Sequence, residues 1–154
     1  MANKPKTVPN KPKVVVLCGS TRFVDLMAVV AWWIERDEGA ITMGTHLLPP
    51  WYSDDLQDHH QAEHEGVKEK MDALHLAKID RADEVFIVNF DGYVGESTQA
   101  EIAHAIQRNL LIRWLDPTKA TNAVLVHDHS TTYLDRIVAR QRRLKRRAKI
   151  ERQG

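Results

Sequence analysis

Cysteine is nearly missing from this chain of 154 residues: Cys18 stands alone. No internal disulfide can form, so the cytoplasm, a reducing compartment, is the expected setting. Long apolar runs are missing too. None approaches the roughly 18 residues that span a bilayer, so no membrane role is expected. Neither GKS/GKT nor GxGxxG occurs. Those absences exclude a Walker-type triphosphate loop and the dinucleotide fingerprint. There is no internal repeat. The opening MANKPKTVPNKPK is basic and proline-bearing, and residues 1–12 read as a flexible arm rather than a signal peptide.

What is present is an ordinary globular mixture, 43% hydrophobic and 28% charged, in a length that suits one domain. The net charge of +1 hides an asymmetry. Residues 136–152 hold nine Lys/Arg and one Glu, which leaves thirteen Lys/Arg against twenty Asp/Glu elsewhere. An acidic body carries a basic tail.

Apolar runs at 13–18, 40–45, 84–90, 110–115 and 123–127 read as strands. Helical spacing appears over 23–36, 63–81, 98–108 and from Thr131 onward, with Gly39 as a stop signal. Residues 46–60 read as a long loop around Pro49 and Pro50. Alternating strands and helices predict an α/β fold: one Rossmann- or flavodoxin-like three-layer sandwich over 13–130, with a mostly parallel sheet of four or five strands. Residues 131–154 would form a basic helix or tail. In such sheets function collects at the carboxyl ends of the strands. CGSTRF, the 46–60 loop and DGYVGEST all fall there.

In CGSTRF, Gly19 permits a tight turn. Ser20, Thr21 and the amides of the following helix start can donate to an anion, and Arg22 offers a planar fork for phosphate. The same residues also suit a plain capped turn. In DGYVGESTQAEIAHA, Thr98 and Glu101 fit a capping box. A carboxylate in a first helical turn is also held ionised by the helix dipole, and an ionised carboxylate can attack an electrophilic sugar carbon. Both roles claim the same oxygens.

The stretches LCGSTRF, LHLAKIDRADEVFIVN and GYVGESTQAEIAHA together resemble the nucleoside 2-deoxyribosyltransferase superfamily, which includes nucleoside 5′-monophosphate N-glycosidases, and within it a small branch from phages and bacteria. The resemblance spans about residues 13–115. It implies that Glu101 is the nucleophile. It implies a 5′-phosphate held by Gly19, Ser20, Thr21 and Arg22, with Gly95, Glu96 and Ser97 in a second loop. The chain departs from the family pattern at three places. His75 stands where a substrate-holding Asp is common, with Asp72 one turn earlier as a substitute. Val16 stands where a tyrosine often steadies the nucleophile, a role Tyr93 can take from the other loop. Gly95, beside Glu96, stands where the transferases usually carry an Asp. A histidine at position 75 can protonate a leaving base.

The resemblance therefore implies a hydrolase or transferase of N-glycosidic bonds that uses no cofactor and assembles as a homo-oligomer. Two alternatives stand beside it: a non-catalytic nucleotide-binding module, and a protein that contacts nucleic acid through residues 136–152. A solvated helix, or one that clasps a neighbouring subunit, explains the same tail. His59, His60 and His64 cluster, but HHQAEH is not a zinc-protease pattern, and no metal is expected. Trp51 and Tyr52 either stack on a nucleobase or pack under the proline loop. Trp32 and Trp33 cannot both face one core, so one is a candidate for a subunit interface.

Overall fold

The computed structural model describes residues 8–53 and 61–154. Four strands form one all-parallel sheet in the order β2-β1-β3-β4. They are β1 (Val14–Gly19), β2 (Ile41–Met43), β3 (Glu84–Val88) and β4 (Leu111–Trp114). The central strands are short β-branched runs buried on both faces, which is why their sequences do not alternate.

The helices α1 (Val24–Trp33), α2 (Pro50–Ser53), α3 (Gln61–His64), α4 (Lys68–Ile79), α5 (Glu96–Gln107) and α6 (Thr132–Gln153) complete the fold. Strand periodicity separates two cores. Val15, Leu17, Phe86 and Val88 face α1 and α6 through Met27, Val30, Trp33 and Ile137. Val16, Cys18, Val85 and Ile87 face α4 and α5 through Ile79, Ile102 and Ala105. Each sheet face is covered by helices, the three-layer sandwich expected from the sequence.

Asp83 fastens the amino edge of the sheet. Its carboxylate accepts from the Val14 amide, and its own amide donates to the Val14 carbonyl, both at 2.8 Å. At the opposite edge, buried Asn89 accepts from the Asp116 amide at 2.9 Å and donates to the Asp116 carbonyl at 3.0 Å. That side chain joins the loop after β3 to the loop after β4.

Several boundaries differ from expectation. Residues 123–127 form no strand: Ala123–Leu125 are a 3-10 turn started by Asn122, whose side chain accepts from the Val124 amide. The apolar run was real, but the local side-chain bond won over sheet pairing. The helix expected over 63–81 is broken at Gly66, whose φ of 71° leaves the helical region. The first helix continues as a π turn, Ile34–Glu38, and ends at Gly39 with φ 64°, whose amide donates to the Glu35 carbonyl. Trp33 is buried and Trp32 is 62% exposed, so the adjacent pair does divide between core and surface. No described helix is long and apolar enough to cross a membrane.

Candidate functional site

The order β2-β1-β3 places a switch point between β1 and β3, where chains leave toward opposite sides. Cys18 and Gly19 pair with Ile87 and Val88 at that edge. A side chain at Gly19 would put its Cβ 3.1 Å from the Val88 carbonyl oxygen and 3.3 Å from Met27 Sδ. Gly19 therefore sits at a close approach inside the strand, and the turn itself belongs to Ser20–Phe23. Ser20 caps that 3-10 turn by accepting from the Arg22 amide at 3.3 Å.

The two expected loops do meet. Phe23 packs edge-on against Phe90 and Tyr93, each with ring centres 6.1 Å apart. The Arg22 guanidinium lies over the Tyr93 ring, 3.6 Å from its centre, a close cation–π contact. Tyr93 thus supports Arg22. Glu96 and Ser97 are exposed at the start of α5, and Gly95 is its N-cap with no side-chain cap. The first amides of a helix have no intrahelical partner, which suits such an end to an anion.

The capping box is not formed. Thr98 lies inside α5 and is buried, and Glu101 is a turn further in. Instead Glu101 turns toward the sheet. His75 Nε2 is 3.8 Å from Glu101 Oε1 and 3.6 Å from Cys18 Sγ. Three elements supply this group: the end of β1, the middle of α4 and the second turn of α5. Helical periodicity explains the last two. His75 shares the inward face of α4 with Ile79, and Glu101 lies beside Ile102 and Ala105 on α5.

Burial controls the charge here. It pushes the Glu101 carboxyl up from 4.5 to about 8, with the Asp72 charge adding and a Cys18 hydrogen bond and Lys68 opposing. It pushes the His75 imidazole down from 6.5 to about 4, with Lys78 assisting and Asp72 and the Leu17 main chain opposing. Burial, then the Glu101 charge, raises the Cys18 thiol well above its usual value. Glu101 is therefore not held ionised by the helix dipole. Its 3.8 Å approach to His75 has the length of an ion pair, but at neutral pH it joins an uncharged imidazole to an uncharged acid. Glu101 Oε2 is buried and has no hydrogen-bond partner.

Asp72 does not enter this group. Its carboxylate accepts from Lys68 Nζ at 2.7 Å, and its side chain is half exposed. It acts on Glu101 and His75 only through its field. Cys18 is the member that the sequence reading passed over, because a lone cysteine in a strand reads as packing. Its place on the α4/α5 face, one residue before Gly19, was the available signal.

His59 and His60 lie outside the described residues, while His64 is exposed on α3. Trp51 is 78% exposed, and Tyr52, 44% exposed, donates to Glu65 Oε1 at 2.9 Å. A separate cavity of about 250 Å³ lies on the other face of the sheet, bounded by Glu38, Phe86, Arg113, Tyr133 and Arg136. It does not reach Cys18, His75 or Glu101. No family model, curated protein or solved structure matches the chain.

Proposed function

We propose that the protein cleaves or exchanges the N-glycosidic bond of a nucleoside or nucleoside 5′-monophosphate, with Glu101 as the reacting carboxylate. The observation that carries this reading is the position of Glu101: a largely but not fully buried acid at the switch-point edge, with one oxygen unpartnered and a base 3.8 Å from the other. A group so perturbed at the mouth of a sheet is a candidate for function.

Attack requires Glu101 to lose its proton. His75 is the adjacent acceptor, and the imidazolium it becomes is a proton donor for the departing base. One proton thus passes from Glu101 to His75 to the leaving nitrogen. The C1′–N bond breaks as the Glu101 oxygen closes on C1′, and positive charge developing at C1′ favours the carboxylate. Water, or a second base, then releases the sugar. Arg22, Ser20, Thr21 and the start of α5 at Gly95–Ser97 would hold a 5′-phosphate. Incubation with nucleosides and their monophosphates, followed by chromatography for free base, tests the reading.

The second reading is a nucleotide-binding module that does no chemistry. The uncharged resting state of Cys18, His75 and Glu101 favours it. It predicts thermal stabilisation by a nucleotide with no product.

A further inference from the structure

We propose that Cys18, His75 and Glu101 form a three-ligand site for a zinc-class divalent ion. Among the described residues they are a group of potential ligands whose donor atoms all lie within 4.8 Å of one another. Two of the three ligand–ligand edges lie close to what the chemistry needs. Zinc bonded at about 2.3 Å to sulfur and about 2.0 Å to nitrogen and oxygen has ligand–ligand edges of roughly 3.3–3.5 Å in a tetrahedron. The Cys18 Sγ–His75 Nε2 edge is 3.6 Å, and the His75 Nε2–Glu101 Oε1 edge is 3.8 Å. Contraction by a few tenths of an ångström closes both.

The donor set selects the metal. Thiolate and imidazole suit zinc, whereas magnesium and calcium take oxygen ligands. Charge also balances. Binding releases one proton from Cys18 and one from Glu101, and the resulting thiolate, carboxylate, neutral imidazole and dication sum to zero. A neutral assembly suits a site where Cys18 is fully buried and His75 is 7% exposed. The unpartnered Glu101 Oε2 is an independent sign that the site lacks one partner in its protein-only form. Three protein ligands leave a fourth position for water or an exogenous ligand.

The ligands come from β1, α4 and α5, so the folded core already brings them together and an ion can bind without building the site. Binding is independent of the glycosidase reading. If both hold, the ion occupies the Glu101 oxygen that would attack C1′, and zinc suppresses base release.

The test uses the full chain freed of metal by a chelator. Zinc is titrated against a chromophoric competitor, and cobalt(II) is added separately for its absorption spectrum. One zinc per chain is expected, with affinity falling more than about 100-fold in Cys18→Ser, His75→Ala and Glu101→Gln, since loss of even an outer-shell partner costs roughly 10–100-fold. A His127→Ala/His129→Ala variant should bind as wild type does. The cobalt complex should show a thiolate-to-metal charge-transfer band. Equal affinity in wild type and Cys18→Ser, or a cobalt spectrum without that band, overturns the proposal. The wild-type cobalt spectrum decides the matter even if a variant fails to fold. Base release by metal-free protein that zinc leaves unchanged would also overturn it. Tight zinc binding without any base release would overturn only the glycosidase reading.

Discussion

His75 Nε2 lies 3.8 Å from Glu101 Oε1, and burial places their proton affinities in inverted order, with the acid near 8 and the imidazole near 4. The stable resting form keeps the proton on Glu101. The proton relayed from Glu101 through His75 to the departing base gives the nucleophilic role a pH signature: kcat/KM should fall as pH increases through about 8, where Glu101 loses the proton. A rate profile flat from pH 6 to 9 contradicts that role.

The same inversion affects stability. Folded Glu101 holds its proton between pH 4.5 and about 8, where an unfolded glutamate has lost it. Its contribution is full below pH 4.5 and is lost as pH rises through 8. Glu101→Gln removes this loss. In metal-free protein, the variant should gain on the order of 3 kcal/mol over wild type at pH 8 relative to pH 5, as read by urea unfolding. His75 acts oppositely, weakening the fold as pH falls from 6.5 toward 4.

Gly19→Ala should destabilise the protein by about 1–3 kcal/mol, because the new methyl meets a main-chain oxygen that cannot swing aside. The thermal midpoint reports this directly. An unchanged midpoint would mean that β1 and β3 separate more easily than their register implies.

The sheet and its edge were legible because they rest on strong periodic signals. KVVVLC and EVFIV are continuous apolar runs, and the glycine-bearing stretches after them mark the carboxyl ends. The pairing of His75 with Glu101 was foreshadowed by the family resemblance alone. Three things were not legible. Thr98 and Glu101 spell a capping box, but α5 starts two residues before Thr98, which rotates both inward. The charge state of Glu101 depends on burial between three elements, which local sequence does not encode. Residues 123–127 have strand composition, yet Asn122 captures the Val124 amide and turns the chain.

The basic tail divides at about residue 139. Arg136 bonds Asp37 Oδ2 at 2.7 Å, Tyr133 donates to Glu38 Oε2 at 2.6 Å and Tyr133 stacks on Trp33. Beyond Arg140 the helix is almost wholly exposed. Removing residues 140–154 should leave the unfolding midpoint nearly unchanged and abolish any salt-sensitive binding to nucleic acid. Affinity preserved in that truncation would exclude the tail as the contact.

Arg36 and Arg136 hold the Asp37 carboxyl down at about 2. Its support of α6 is present above pH 3.8 and disappears as pH falls toward 2. Asp37→Asn should therefore remove part of the acid sensitivity of the fold, seen as a smaller loss of thermal midpoint between pH 5 and pH 2. An equal loss in variant and wild type would exclude Asp37 as a source of that sensitivity.

The most direct measurement is base release from a panel of ribo- and deoxynucleosides and their 5′-monophosphates by metal-free protein, beside Glu101→Gln and Glu101→Ala. The account predicts free base with wild type and none with either variant, while both variants remain folded by circular dichroism. Release confined to monophosphates would point to Arg22 and the loop after β1 as the phosphate contact. Undiminished release by Glu101→Gln, or no release by folded wild type on any member of the panel, would contradict the account.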